Sequence, residues 1–274
     1  MKKSFKCLLI FFVIVNIFTY WIILDFLYMP NGEVSFLSVG QGDAQLIQIP
    51  GGNILIDAGP DAKILSELDK LLPFYDRAID LFILSHPNKD HFNGLFDILE
   101  RYKVRAVMFN NLSYSNSLFQ KLLQELDKRE ILIIKGIAGA NVSWGNEDNL
   151  LFLYPDTMVS SEQDPNKFSS VDMLFLGQNC FLFTGDIGFA QEKKILPLLS
   201  CPDNSSHILK VPHHGSRYSS SKRFLEVFKP QIAIIEVGEN SYGHPHPDTL
   251  ERLKNTGAQI FRTDLDGTIS FRAE

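Results

Sequence analysis

Cysteine is scarce in this chain. Only Cys7, Cys180 and Cys201 occur among 274 residues, and no two form a CxxC pair. Three scattered thiols make no disulfide framework and no cysteine-ligated zinc site, so a metal site would have to use histidine and carboxylate. An excess of positive charge is missing too. The formal net charge is −6 and the isoelectric point about 5.7. Bulk electrostatics therefore give no argument for nucleic-acid binding, although a local basic patch is compatible with them. There is no internal repeat and no low-complexity tract, so repeat architectures drop out. What remains is 45% hydrophobic and 21% charged, enough for one good-sized domain and an appendage.

Charge is also absent from Cys7 to Leu24, and Phe26, Leu27, Tyr28 and Met29 extend the apolar character past Asp25. That length matches the roughly 20 residues needed to cross a bilayer. Three lysines precede the segment, the next basic residue is Lys63, and Tyr20, Trp21 and Tyr28 lie toward its far end. The expectation is a single-pass anchor through residues 7–29, with the N-terminus inside and the rest exported to the extracytoplasmic side of the cell membrane. A cleaved signal peptide is the competing reading, but no small-x-small site follows the run. Residues 1–30 are thus expected to be the anchor, 31–274 the functional domain, and Pro30-Asn31-Gly32 a short linker.

Strand-like pieces open the domain at Val34–Val39, Ala44–Ile49 and Ile54–Ile56, punctuated by Gly40-Gln41-Gly42-Asp43 and Pro50-Gly51-Gly52-Asn53. Helical patterns follow at 62–72, 92–101, 117–128, 189–199, 222–228 and 248–254. They alternate with strand-like runs at 79–84, 104–109, 131–134, 150–154, 171–176, 180–184, 208–211 and 232–237. The run 131–134 reads as buried, 157–170 as a polar loop, and 260–263 with 268–271 as a closing hairpin across Asp266-Gly267. A meander that gives way to strand–helix alternation, in each half of the domain, predicts two packed sheets with helices outside: a four-layer αββα sandwich.

The chemistry sits where strands end. After Ile79–Leu84 comes Ser85-His86-Pro87-Asn88-Lys89-Asp90-His91, and a packed His/Asp/His loop suits a borderline divalent metal. Thr184-Gly185-Asp186 closes another strand, placing Asp186 either to bridge cations or to cap the helix after it. Lys210-Val211-Pro212-His213-His214-Gly215-Ser216-Arg217 follows a third, with groups able to protonate a leaving group and hold a phosphate. Tyr242-Gly243-His244-Pro245-His246 follows a fourth. Six of the seven histidines lie on such loops, and only His207 stands apart.

Taken in order, these blocks resemble the metallo-β-lactamase superfamily, and more narrowly the hydrolase domain of the ComEC/Rec2 competence proteins. The matching pieces are Val39-Gly40-Gln41-Gly42-Asp43-Ala44, Ile54–Gly59, the loop from His86 to Gly94, Phe183–Asp186, Leu209–Ser216 and Tyr242–Pro245. The resemblance implies an αββα fold with a dinuclear metal site at one edge, and nuclease action on one strand of incoming DNA. It assigns His86, Asn88, Asp90, His91, Asp186 and His244 to one or two ions, Zn or Mn. It leaves His213 and His214 as catalytic groups, one of which could replace His244 as the late ligand. Asp90 and Lys210 join the catalytic set. Asp57 would brace the metal loop, and Asp43 would lie near the rim. The implied partners are single-stranded DNA or another phosphodiester, together with a separate channel protein, because one candidate span cannot itself conduct DNA.

Two departures qualify the implied activity. Asn88 stands where the family carries Asp or His, and a neutral amide is the weaker ligand. No histidine lies between His91 and Asp186, so the superfamily's middle metal histidine is absent, as it generally is in ComEC-like domains. The expectation is a position at Asp90, His91, Asp186 and His244 that fills first and a weaker one at His86, Asn88 and a share of Asp186. Two alternatives to a DNA phosphodiesterase stay open: a hydrolase of another phosphodiester or ester at the envelope, and a binding or scaffold domain whose site Asn88 has impaired.

Overall fold

A computed structural model describes residues 2–27, 32–110, 114–144, 148–157 and 164–273. The expected boundary at 30/31 and residues 158–163 of the expected polar loop lie outside these. Lys2–Leu27 forms helix α1, and its described side chains, among them Phe5, Leu8, Phe11 and Ile14, are exposed. Of the expected span 7–29, residues 7–27 lie in this helix, and 28 and 29 fall outside the described residues. Among the described residues no helix is long and apolar enough to cross a membrane.

The domain then runs β1 (Glu33–Phe36), β2 (Gln45–Ile49), β3 (Gly52–Ile56), α2 (Lys63–Leu71), β4 (Ala78–Ile83), α3 (Lys89–Phe92), α4 (Gly94–Arg101), β5 (Lys103–Phe109), α5 (Ser117–Lys128) and β6 (Leu132–Lys135). It continues with β7 (Asn141–Ser143), β8 (Asn149–Tyr154), β9 (Val171–Leu176), β10 (Asn179–Phe183), α6 (Phe189–Ile195), β11 (Ser206–Lys210) and α7 (Lys222–Phe228). It closes with β12 (Ile232–Ile235), α8 (Pro247–Lys254), β13 (Gln259–Arg262), α9 (Thr263–Asp266) and β14 (Ile269–Arg272). Two seven-stranded sheets result, in the orders β14-β1-β2-β3-β4-β5-β6 and β13-β12-β11-β10-β9-β8-β7.

Alternation decides which face each strand buries. Phe36, Ile47, Ile56 and Ile83 of the first sheet meet Phe152, Leu174, Phe181 and Phe183 of the second. Phe36 lies 5.9 Å from Phe183 and 6.4 Å from Phe181, ring centre to ring centre. On the outer face of the first sheet, α2, α4 and α5 bury Leu68, Leu95, Ile98, Phe119 and Leu122 against Leu55 and Phe82. The second sheet is covered by Ile195, Phe224, Phe228 and Leu253. Helix α5 starts where it does because the Asn116 carboxamide accepts from the Leu118 and Phe119 amides.

Three expectations need correction. The last two strands are not a hairpin. β13 joins the second sheet parallel to β12, while β14 crosses to the first and pairs antiparallel with β1. The turn α9 and Gly267 at φ +73° carry the chain between sheets, and β14 becomes the edge strand beside β1. β6 is not buried but is itself an edge strand, with Leu132 and Ile133 exposed. Finally, Cys180 and Cys201 form a disulfide across a separation of 21 residues. Spacing alone could not show this, because β10 and the loop before β11 meet only in the folded chain.

β3 to β6 run parallel, as do β10 to β13. Their C-terminal ends therefore gather the loops after β3, β4, β10, β11 and β12 at one edge of the sandwich, the usual place for a ligand in such sheets. Just behind that edge, Asp172 of β9 is buried and rests on one hydrogen bond, accepted from Ser170 Oγ at 2.7 Å. Burial pushes its pKa up to about 8, against the pull of that hydrogen bond. The folded chain therefore keeps a proton that the unfolded chain releases near pH 4. Stability is full below that pH and declines as pH rises toward 8. Asp172→Asn is expected to remove this decline and to add on the order of 4 kcal/mol near pH 7, an upper bound at ~1.4 kcal/mol per pH unit. Urea unfolding at pH 4 and pH 7.5 checks it, with the two proteins converging at the lower pH.

Candidate metal centre

Asp186 is the hub of the site edge. Its Oδ2 lies 3.4 Å from Nε2 of His91, 3.7 Å from that of His214, and 3.8 Å from those of His86 and His213. Asp90 adds a second carboxylate, 3.4 Å from His214 Nε2 and 3.8 Å from His91 Nε2. The ligand atoms of Asp90, His91, Asp186 and His214 all fall within 4.8 Å of one another. Donors around one cation at metal–ligand distances of about 2.0–2.2 Å stand apart by this order.

The buried polar atoms test whether a cation fits. Nε2 of His86, His91 and His214 and Oδ1 of Asp186 are buried without a hydrogen-bond partner. An uncompensated buried polar atom is costly, and three imidazole nitrogens converging on Asp186 Oδ2 call for a shared partner. The outer ring nitrogens, by contrast, are all engaged. His91 Nδ1 meets Asp57 Oδ2 at 2.7 Å, His214 Nδ1 meets the Glu236 carbonyl at 2.9 Å, and His86 Nδ1 meets Ser85 and Ser169 hydroxyls at 3.0 and 3.1 Å. Such outer contacts fix the ring so that Nε2 faces inward, the arrangement metal-binding histidines use. The residues present therefore fit a divalent cation.

Local sequence explains how the backbone reaches this geometry. Asp57, at φ +57°, accepts from the amide and hydroxyl of Ser85 at 2.8 and 2.6 Å, which pins the start of the His86 loop. A Cβ at Gly185, φ +44°, would sit 2.1 Å from Ser169 Oγ. That hydroxyl accepts from the Asp186 amide at 2.9 Å, so only glycine lets Asp186 be held there. His213 and His214 both adopt left-handed φ of 52° and 51°, a strained conformation for non-glycine residues that concentrates at functional sites.

Beneath the hub lies a buried charge network. Lys210 Nζ pairs with Asp43, donates to the Gly185 carbonyl at 2.9 Å and stands 3.8 Å from Asp186 Oδ1. Asp43 also stands 3.2 Å from His214 Nδ1. Glu236 accepts from the Ala44 amide at 3.0 Å and from the Gln45 side chain. Burial works against charge on all of these groups, and their neighbours decide the outcome. The Asp186 and Asp43 charges outweigh burial and push His214 up to about 10. His86, where burial prevails and the charge on His91 adds to it, falls to about 3. Against burial, the neighbouring histidines hold Asp90 and Asp186 below the usual carboxylate range, and both stay ionised.

The structure places the expected residues unequally. It brings together His86, Asp90, His91, Asp186, His213 and His214. His244, expected as the late ligand, is set back, with its ring centre 6.5 Å from that of His214. His214, on the turn just after β11, takes the place in the four-residue group. Asn88 is turned aside, donating to Asn166 Oδ1 at 2.6 Å. Lys89 is exposed and directed outward. Asp43 is fully buried beneath the site rather than at its rim, and Lys210 is sealed at 1% exposure, so it serves as an internal counter-ion out of reach of a substrate. Asp186 caps no helix, since α6 begins after Gly188. Ser169, Asn166 and Glu236 carried no signal in the sequence. They reach the site only through folding of the segments beside β9 and β12.

This fold and this ligand cluster are those of a metallo-hydrolase. Residues 37–238 match the model of the metallo-beta-lactamase superfamily, and the chain belongs to that superfamily. It is 29% identical over 264 residues to ComE operon protein 3 of Bacillus subtilis (strain 168), covering 88% of this chain and 33% of that protein. It is 29% identical over 247 residues to Recombination protein 2 of Haemophilus influenzae, covering 88% of this chain and 29% of that protein. The chain thus spans about a third of the length of these relatives. Among solved structures, the metallo-beta-lactamase fold protein YhfI of Bacillus subtilis superposes with a TM-score of 0.58 at 13% identity, covering 88% of this chain and 99% of that one.

Proposed function

We propose that the chain is a metal-dependent phosphodiesterase that cleaves DNA strands outside the cytoplasmic membrane. The observation that carries this reading is the convergence of unpartnered histidine Nε2 atoms on Asp186 Oδ2. The competence- and recombination-named relatives supply the direction toward DNA. Asp90, His91, Asp186 and His214 would hold the first ion, and His86 with a share of Asp186 a second, weaker one. When bound, divalent cations supply Lewis acidity, lowering the pKa of water and neutralising phosphoryl oxygens.

The chain's own residues divide the remaining work. Asp57 and the Glu236 carbonyl keep His91 and His214 oriented. Lys210 stabilises the ionised forms of Asp43 and Asp186. His213, about one-third exposed at the mouth, is the group placed to deliver a proton to the departing oxygen.

The segment 7–29 is proposed as a membrane anchor with the domain outside. The Cys180–Cys201 disulfide supports the same compartment independently, because disulfides persist where the surroundings are oxidising. A separate channel protein is the proposed companion. The neutral Asn88, engaged by Asn166, favours one competing reading, a binding domain with an impaired site. Labelled single-stranded DNA incubated with the full chain, first with chelator and then with Mn²⁺ or Zn²⁺, separates the two. Cleavage restored only by metal is the expected result. No cleavage by the wild type, with cleavage gained in Asn88→Asp, would replace the reading with the impaired one. Turnover of a simple phosphodiester but not of DNA would shift the substrate to another envelope ester.

A further inference from the structure

The loop after β12 raises a question that the metal centre does not answer. Tyr242 at its tip is 73% exposed. Single exposed aromatics are ordinary, but the backbone beneath this one is held with unusual completeness. The Asn240 carboxamide oxygen accepts from the amides of Tyr242 and His244, each at 3.1 Å. Its nitrogen donates to the carbonyls of Gly238 at 2.8 Å and His244 at 2.9 Å. One side chain thus spends four hydrogen bonds on fixing a loop whose tip is left in solvent.

The Tyr242 ring has one described ring neighbour, His244, at 5.8 Å and an interplanar angle of 31°. His244 in turn stands 5.5 Å from the His213 ring and 6.5 Å from that of His214. A ladder of rings therefore leads from solvent to the ligand cluster. Beside it, a Cβ at Gly243 would meet nothing within 4 Å, so the approach is open. His244 itself keeps a buried Nδ1 without a hydrogen-bond partner.

We infer that Tyr242, backed by His244, is a stacking platform for a base next to the phosphodiester under attack, and that it selects single-stranded nucleic acid. The inference rests on the phosphodiesterase reading above and deepens it. A rigid, exposed ring beside a phosphate site matches a ligand that carries a planar unsaturated ring one bond system away from its phosphate. A duplex keeps the faces of its bases stacked and cannot offer them, whereas a single strand can. Stacking of this kind is tolerant of sequence, because every base has a π-face. Because the loop is already fixed, little ordering entropy opposes binding.

The test is fluorescence anisotropy of a labelled 12-nucleotide single strand with the full chain in detergent, metal removed so that no cleavage intervenes. Tyr242→Ala is expected to weaken binding by roughly 5- to 150-fold, the range for losing one base–aromatic stack. Tyr242→Trp is expected to restore it, and an abasic strand should bind the wild type as weakly as the intact strand binds Tyr242→Ala. Equal binding by wild type and Tyr242→Ala would overturn the inference. So would equal weakening by Ala and Trp, which would mean a structural role, or a duplex held as tightly as the single strand. The hydrolase reading fails separately: a strand bound through Tyr242 but left uncleaved with metal restored would sink that reading and leave the platform standing.

Discussion

Asp186→Ala is expected to strip the site of metal and to lower phosphodiester turnover by at least roughly 10²–10³-fold, the range seen when a principal electrostatic group is lost. Asp186 stands among four histidines and Lys210. Four histidine Nε2 atoms lie within 3.8 Å of its Oδ2, so its removal takes a donor from both proposed positions at once. The fold should tolerate the change. Asp186 follows β10 rather than supporting it, and the hydrogen bond its backbone N–H donates to Ser169 Oγ survives in alanine. Metal content after dialysis, read beside the thermal unfolding midpoint, distinguishes a lost ligand from a lost fold. Retained metal with near-normal turnover would show that the cluster is not the reactive centre.

Lys210→Met should do the opposite, damaging the fold more than the chemistry. The ammonium group is buried against Asp43, the Gly185 carbonyl and Asp186. Deleting it leaves the Asp43 carboxylate buried without its counter-charge. Breaking a buried pair in this way costs about 3–5 kcal/mol, while removing both partners is often close to neutral. The single variant should therefore unfold at much lower urea, and Asp43→Asn/Lys210→Met should recover most of the difference. Additive effects of the two substitutions would mean that the pair is not coupled. Glu236 makes the result more informative. Burial and the Asp43 charge raise its pKa well above the ordinary carboxylate range, opposed by Lys210. Loss of the lysine should therefore leave it protonated.

Much of this architecture was legible from residue order. Apolar runs of four to seven residues, each closed by glycine, proline or a polar cluster, mark most strands correctly, and Ser117–Lys128 appears as a helix at its observed limits. The reason is that burial of a strand on both faces forces continuous apolar sequence. The failures share a cause as well. β14 and β13 look like one hairpin, because Asp266-Gly267 is a turn signal and nothing local reveals that the two strands serve different sheets. The Cys180–Cys201 bond, the sealed Lys210–Asp43 pair and the Ser169 contact all join segments brought together only by the packed sheets. The choice between His214 and His244 likewise depends on how two loops fold onto the site, which spacing does not encode. Asn88 was visible as an anomaly, but its partner Asn166 lies 78 residues away.

The metal centre is most directly tested by counting ions. Purified full chain, stripped with chelator and then titrated with Mn²⁺ or Zn²⁺ in a calorimeter, should take up one ion tightly, through Asp90, His91, Asp186 and His214, and a second only weakly on the His86 side. A chain that takes up no divalent ion, or whose uptake is unchanged by Asp186→Ala, would contradict the assignment of this cluster as a metal centre.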